Sequence, residues 1–484
     1  MSIVTELDLL KYRRTKIIAT VGPASAAPDR LEELIAAGVN VFRVNMSHGE
    51  HAGHAEAIAM IRAAAASSNA TVAILADLCG PKIRTGKFAG GKVTIATGAD
   101  VTLTAREVLG DEQLIPSQYA AIINDVEIND RILLNDGAVE MIVQSRQGEE
   151  LSCQVIAGGE VGDHKGINLP GSRVSAPSLT EKDREDAQFA LDQKVDFLAL
   201  SFVRRGEDIR ELRELMNQHG AHAGIIAKIE KPEALTNSDD IIAQADGIMV
   251  ARGDLGVELN PEQVPLAQAQ LIERAKAANK PVIVATQMLE SMITQARPTR
   301  AEVSDVSLAV ASGADAVMLS GESAVGAHPV EAVSMMDRIA RQTESYHWHA
   351  GTQSDTAKVA HAQGATPFGD AIADATAKLV RDVRARAVLV ISMRGMTATT
   401  ISAARPDAPV IAVSNDPAVC RRMNLLWGIV PYLAEHAGQK NPNKVAREVA
   451  QALGIGQTGE HIVMVRGFHS ESELNSPSIT LLEL

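Results

Sequence analysis

Eight short apolar runs, each ending in polar residues, constrain this chain more than any other feature. They are TKIIATVGP at 15–23, VNVFRVNMSHG at 39–49, TVAILADLCG at 71–80, DFLALSFV at 196–203, GIIAKIE at 224–230, GIMVARGD at 247–254, PVIVATQML at 281–289 and AVMLSGE at 316–322. Continuous β-branched runs of this kind suit parallel strands covered on both faces. Helical periodicity lies between them, as at 28–37, 179–194, 261–279 and 300–312. Thr180, followed by Asp183, resembles a capping box with Asp in the Glu place. Eight strand–helix units predict a (β/α)8 TIM barrel, with a doubly wound open sheet as the competing arrangement.

A chain of 484 residues is too long for one core. The barrel is expected over 13–83 and 171–346, after an N-terminal segment at 1–12. Between Arg84 and Pro170 the long helical period disappears. Gly-rich turns and alternating stretches such as KVTIATGADVTLTA replace it. This region reads as an inserted β-barrel lid domain. The stretch 347–364 reads as a connection plus the start of a helix. AVLVIS, PVIAVS, GIVPYLA and HIVMVRG then alternate with helical stretches, predicting a separate C-terminal α/β domain over 347–484.

A net charge of -14 argues against nucleic acid or an anionic membrane as the main partner. Cys79, Cys153 and Cys420 form no CxxC pair, so neither a disulfide framework nor a zinc site is suggested. The first residues lack the pattern of a signal peptide, and no apolar stretch is long enough to span a bilayer. A cytoplasmic protein is expected.

Chemistry in such a barrel gathers at the carboxyl ends of the strands. Those ends carry Arg43, Asn45, Ser47 and His48, then Asp77 with Lys82 and Arg84 beyond it. Further round come Lys228 and Glu230, Arg252, Gly253 and Asp254, Thr286 and Gln287, and Ser320 and Glu322. Glu230 and Asp254 on neighbouring strands suit Mg²⁺, a hard cation satisfied by one or two carboxylates plus substrate oxygens. Arg43, Arg84 and Lys228 supply the positive charge that phosphoryl transfer requires. The backbone around Arg252, Gly253 and Asp254 suits a substrate carboxylate, since Gly permits close approach. Taken singly, each residue has a plainer reading as a helix cap, a turn residue or a surface ion pair. Lys228 sits between apolar neighbours, where burial is costly unless the ammonium is paired. Their co-location on one rim favours chemistry.

TKIIATVGPAS, FRVNMSHG, DLCGPKIRTG, HKGINLPG, LTEKD, AKIE, MVARGDLGVE, ATQMLESM, PTRAEVSDV and AVMLSGESAVG stand in this order along the chain. In these stretches the sequence resembles the pyruvate kinase family over nearly its whole length. The resemblance implies a glycolytic phosphotransferase that uses Mg²⁺ or Mn²⁺ to convert phosphoenolpyruvate and ADP into pyruvate and ATP. It implies catalytic roles for Lys228, Arg43 and Thr286, and substrate contacts from Arg252, Gly253 and Asp254. Asn45, Met46, Ser47, His48, Arg84 and Lys165 match nucleotide contacts, and Glu230 and Asp254 match the divalent-metal ligands. Asn45, Ser47, Asp77 and Leu78 (through its carbonyl) match a monovalent-cation site. The proton donor to the enolate is expected near Thr286 and Ser320. The lid is expected to close over the nucleotide, and the family suggests a homotetramer.

One departure concerns that monovalent site. Members that require K⁺ usually carry Glu where this chain has Lys82 and Thr where it has Leu78, so K⁺-independent activity is expected. In the C-terminal domain, Ser392, Arg394, Gly395 and Thr397 suit a phosphate between a strand and a helix. A sugar-phosphate or nucleotide effector is expected there, although the loop only partly matches the family's versions. Two alternatives compete. Another Mg²⁺-dependent barrel enzyme acting on pyruvate enolates would not need the insert or the C-terminal domain. A non-catalytic, effector-binding relative should have lost Lys228 or a metal carboxylate, and this chain has lost neither.

Overall fold

The computed structural model describes residues 13–135, 137–350, 368–438, 441–469, 473 and 475–484. The N-terminal segment 1–12 and most of the connection expected at 347–364 lie outside the described residues. All eight predicted runs form strands: Lys16–Thr20, Val41–Asn45, Ala73–Asp77, Phe197–Leu200, Gly224–Ile229, Gly247–Ala251, Val282–Ala285 and Ala316–Leu319. They pair in parallel and close, the first strand meeting both the second and the eighth. The open-sheet alternative therefore falls. Nearly every strand residue is buried, because the barrel interior covers one face and the helices cover the other.

Local chemistry agrees with this plan. Thr180 caps the helix Glu181–Asp192, and Asp183 returns the bond to the Thr180 backbone. Thr299 and Glu302 do the same for Arg300–Ala311. The helix Pro329–Ala350 runs straight through the boundary expected near residue 346. Its amphipathic face continues to Thr343, Glu344 and Ser345, all buried. The loop-like composition around His347 therefore misplaced the end of the element.

The insert is β-rich as expected, with a short 3-10 helix at Ala89–Gly91 and a short α-helix at Ile122–Asp125. Among the described residues its strands pair as a six-stranded sheet and a two-stranded sheet rather than as one closed barrel. Its core of Leu103, Ile132, Met141, Val143 and Leu151 is separate from the barrel's. In the C-terminal region the strands Val388–Ile391, Val410–Ser414, Ile429–Leu433 and His461–Arg466 are parallel, and Ser478–Glu483 adds an antiparallel edge. Leu425 from this region packs against Ile18, Met249 and Ile283 inside the barrel, closing its lower end.

Candidate active site

Lys228 occupies the fifth barrel strand, one residue before its end. Its ammonium lies 2.8 Å from Glu230 Oε1 and 3.3 Å from Asp77 Oδ1. It also donates to Ser201 Oγ at 2.7 Å. Asp77 closes the third strand and accepts from Arg43 Nε at 2.6 Å through Oδ2. Arg43 in turn donates to Thr20 Oγ1 at 3.1 Å. Two cations and two anions from the second, third and fifth strands thus form one chain of pairs across the barrel mouth.

The electrostatics follow from that pairing. Burial alone would lower the Lys228 pKa, but Asp77 and Glu230 outweigh it and raise the pKa above the usual lysine value. Burial would likewise raise Asp77, but Lys228 and Arg43 hold it below the usual carboxylate range. Lys228 and Asp77 are therefore both charged at neutral pH. Burial lowers the His48 pKa, and Lys82, Arg84 and Arg43 push it the same way, so this imidazole is neutral near pH 7.

A cavity of about 460 Å³ opens above this network. The structure gathers Arg43, Asn45, Ser47, His48, Lys82, Arg84, Lys228, Glu230 and Asp254 around it. Lys165 and His164 of the insert complete the wall, because the isolated bridge between Arg84 and Gly166 holds that loop over the barrel mouth. Among the described residues no three His, Cys, Asp or Glu side chains converge as a metal cage. Glu230 Oε1 is buried and makes no aligned hydrogen bond, and Asp254 faces the same cavity. Two carboxylates with room for substrate oxygens and water fit a hard divalent cation.

Other predicted residues sit beneath or beside the cavity. The Met46 side chain is buried, and its carbonyl accepts from Lys182. Leu78 O accepts from Ser201 Oγ at 2.7 Å, and Asn45 Oδ1 accepts from Ser47 N at 3.1 Å. Lys82 faces the cavity, with Cys79 as its attractive neighbour.

The Arg252 guanidinium turns away from the cavity, and the reason is local. Thr286 and Gln287 follow the seventh strand with φ of 69° and 54°, a left-handed conformation that is strained for a β-branched residue. Arg252 donates to Thr286 O at 2.8 Å and pairs with Asp305 at 2.6 Å, bracing that turn. The turned Thr286 places Oγ1 to accept from Gly253 N at 2.7 Å. The Gly253 amide expected to grip a substrate carboxylate is therefore already satisfied here.

Sequence reasoning passed over the ends of the first and fourth strands. These supply Thr20 and Ser201, which hold Arg43 and Lys228. The signal was a hydroxyl at the carboxyl end of an apolar run, in IIAT and LALS. The effector-loop residues Ser392, Arg394 and Thr397 border a different cavity of about 460 Å³, with Arg466 and His469 on its other side. Gly395 takes φ of 93° just before the helix Met396–Ala403.

Comparison with known proteins accounts for this arrangement. The family model described as pyruvate kinase, barrel domain, matches residues 12–333, and the one described as pyruvate kinase, alpha/beta domain, matches 370–479. A pyruvate kinase of Geobacillus stearothermophilus is 43% identical over 459 residues, covering 94% of this chain and 78% of the relative. One from Agrobacterium vitis is 41% identical over 477 residues, covering 98% and 97%. The crystal structure of a pyruvate kinase from Cryptosporidium parvum superposes with a TM-score of 0.88 at 35% identity, covering 97% of this chain and 96% of that one. With the barrel, the insert, the C-terminal sheet and a paired lysine at the barrel mouth all in place, this chain belongs to the pyruvate kinase family of phosphotransferases.

Proposed function

We propose that the cavity at the barrel mouth transfers the phosphoryl group of phosphoenolpyruvate to ADP, giving pyruvate and ATP. The observation that carries this reading is the convergence of Lys228, Glu230, Asp254 and Arg43 on one cavity whose opposite wall is basic. Arg43 binds the phosphate of phosphoenolpyruvate, held by Asp77 and Thr20. Lys228 offsets negative charge on the phosphoryl group and the developing enolate, aimed by Ser201, Asp77 and Glu230. Because Lys228 is paired before substrate arrives, little reorganisation is needed in the transition state. Glu230 and Asp254 would hold Mg²⁺ or Mn²⁺, which supplies Lewis-acid charge neutralisation at phosphoryl oxygens when bound.

Asn45, Ser47, His48, Arg84 and Lys165 receive the nucleotide phosphates, and neutral His48 serves as a hydrogen-bond partner rather than a cation. Thr286 and Gly253 border the substrate, with Arg252 as a positioning residue that braces Thr286. Protonation of the enolate takes place near Thr286 and Ser320, through water. The insert acts as a lid whose closure excludes water from the transferring group. A coupled assay for pyruvate, run with and without divalent metal, tests the reaction. Pyruvate formation that depends on ADP and metal is expected, and its absence would end this reading.

Turnover is further proposed not to need K⁺. Lys82 lines the same cavity as Asn45 and Ser47, and its ammonium brings the charge that a monovalent ion would otherwise supply. Replacing K⁺ with a large organic cation should leave the rate nearly unchanged, whereas Lys82→Glu should make the enzyme K⁺-dependent. A many-fold loss for the unmodified protein without K⁺ would refute this. Ser392, Arg394, Gly395 and Thr397 are proposed to bind a sugar-phosphate or nucleotide activator together with Arg466. Phosphate esters that leave the phosphoenolpyruvate saturation curve unmoved would count against it. No helix among the described residues is long and apolar enough to cross a membrane. A cytoplasmic homotetramer is the working assembly, to be checked by light scattering.

A further inference from the structure

A second cationic cavity, of about 570 Å³, lies at the seam between the lower end of the barrel and the C-terminal sheet. Arg213 and Lys280 reach it from the barrel side, and Arg394 and Arg422 from the C-terminal side. Asp246 is the one acidic residue along its lining, and it is already paired with Arg213 at 3.0 Å. Lys280 donates to the Ala245 carbonyl at 2.6 Å, which neutralises no charge. Among the described residues neither the Arg394 nor the Arg422 side chain makes a hydrogen bond or an ion pair. A chain with net charge -14 thus gathers unpaired guanidinium groups in one concave seam. Arg394 is exposed and Arg422 half-buried, and two like charges bordering one concavity raise the local potential for an anion. Guanidinium groups suit phosphate in particular, since their planar forks bind its oxygens in pairs.

The remaining lining narrows the ligand. Asn279 donates to Asp370 Oδ1 at 2.9 Å, whereas its own Oδ1 is buried without a partner. A buried amide oxygen left unpaired costs free energy that a ligand hydroxyl would recover. Met396, 41% exposed, and Leu426 offer apolar surface in the same lining for a carbon skeleton. A hydroxylated phosphate ester matches all three: charge for the guanidinium groups, a donor for Asn279 and carbon for the apolar floor.

We propose that this seam binds a small hydroxylated phosphate ester, at a site separate from the barrel mouth and from the cavity bordered by Arg466. The second separation matters because Arg394 and Met396 border both the seam and the Arg466 cavity. A ligand in the seam joins the two regions of the chain by touching both. The strands whose lower ends line the seam, Phe197–Leu200 and Gly224–Ile229, lead at their upper ends to Ser201 and Lys228.

The test is equilibrium binding of ribose 5-phosphate to the full chain with phosphoenolpyruvate saturating, so that the barrel mouth is blocked. Arg422→Ala and Lys280→Ala should each weaken binding about tenfold, the loss expected for one charge-assisted contact. Arg466→Ala, which removes a cation from the other cavity only, should leave the component of binding that Arg422→Ala and Lys280→Ala weaken unchanged. Asn279→Ala should weaken ribose 5-phosphate but not inorganic phosphate. Hydrogen exchange on the unaltered protein provides a reading that needs no variant: protection should appear at 394–400 and 419–426. Protection confined to 466–469, loss of binding in Arg466→Ala alone, affinity in the Arg422 and Lys280 variants equal to that of the unaltered chain, or no binding at millimolar ligand would each overturn the proposal. Pyruvate formation does not enter the readout, so failure here is distinct from failure of the catalytic reading.

Discussion

Two buried lysines on the same barrel have opposite fates. Lys228, near the upper end of the fifth strand, is surrounded by Asp77, Glu230 and a serine hydroxyl, and its pKa is raised. Lys16, at the lower end of the first strand, is 4% exposed, and its ammonium donates to the Ile429 carbonyl at 2.5 Å. Burial pushes Lys16 down to about 7, Arg13 and Arg14 push the same way, and Glu344 offsets only part of this. Both side chains lose water, so desolvation does not separate them. What separates them is whether the surroundings present two carboxylates or the Ile429 carbonyl. At the mouth, charge is held ready for use. At the floor, a cation is being discharged where the C-terminal region seals the barrel.

Breaking the upper arrangement should cost most. Lys228→Met should lower turnover about a hundred- to a thousandfold, the scale of losing one transition-state charge contact. The coupled pyruvate assay measures it, and full turnover in the variant would remove the basis of the mechanism. Asp77→Asn comes next, because it makes the upper lysine more like the lower one. Arg43 and Lys228 both lose a buried partner, a change that costs about 3–5 kcal/mol in comparable pairs. The Lys228 pKa should fall, so the alkaline limb of the rate–pH profile should move toward neutrality. An unmoved limb would mean that Glu230 alone sets the charge.

The smallest effect is expected at Lys16. Lys16→Met should be neutral or stabilising by about 1 kcal/mol near pH 7, since a poorly paired buried cation is replaced by an apolar side chain of similar length. Its pH dependence has a definite sign. The folded pKa lies below the unfolded one, so between about 7 and the ordinary lysine value the unfolded chain holds more protons, and folded stability rises with pH. The advantage of Lys16→Met in melting temperature should therefore shrink as pH is raised through that window. Lys228 behaves oppositely. Its contribution is fully present below the ordinary lysine value and is lost only as pH climbs through the raised one. Parallel melting curves for Lys16→Met and the unaltered chain across pH would show that Lys16 stays protonated.

Much of the fold was legible in the chain because it rests on local rules. A buried parallel strand needs an apolar run, and a capped helix needs Thr180 three residues before Asp183. Less of the site was legible. Sequence order put Lys228, Glu230 and Asp254 at strand ends, and the barrel then made those ends neighbours. Arg252 looked like a substrate contact because it adjoins Gly253 and Asp254. It turned out to brace a strained turn more than thirty positions downstream, a relation that no local pattern encodes. The insert's alternation marked strands, but not how its sheets would pair.

The amino-acid order by itself determined the eight strands, the helices that cover them and the set of charged residues at the strand ends, because periodicity and capping act within a few residues. Only the tertiary structure decided which charges met. It gave Lys228 two carboxylates and Lys16 a carbonyl, and it left the Arg394 and Arg422 side chains without partners among the described residues. The physical reason is that the charge state of a buried group is set by whatever the fold brings within a few ångströms, and those neighbours come from distant parts of the chain.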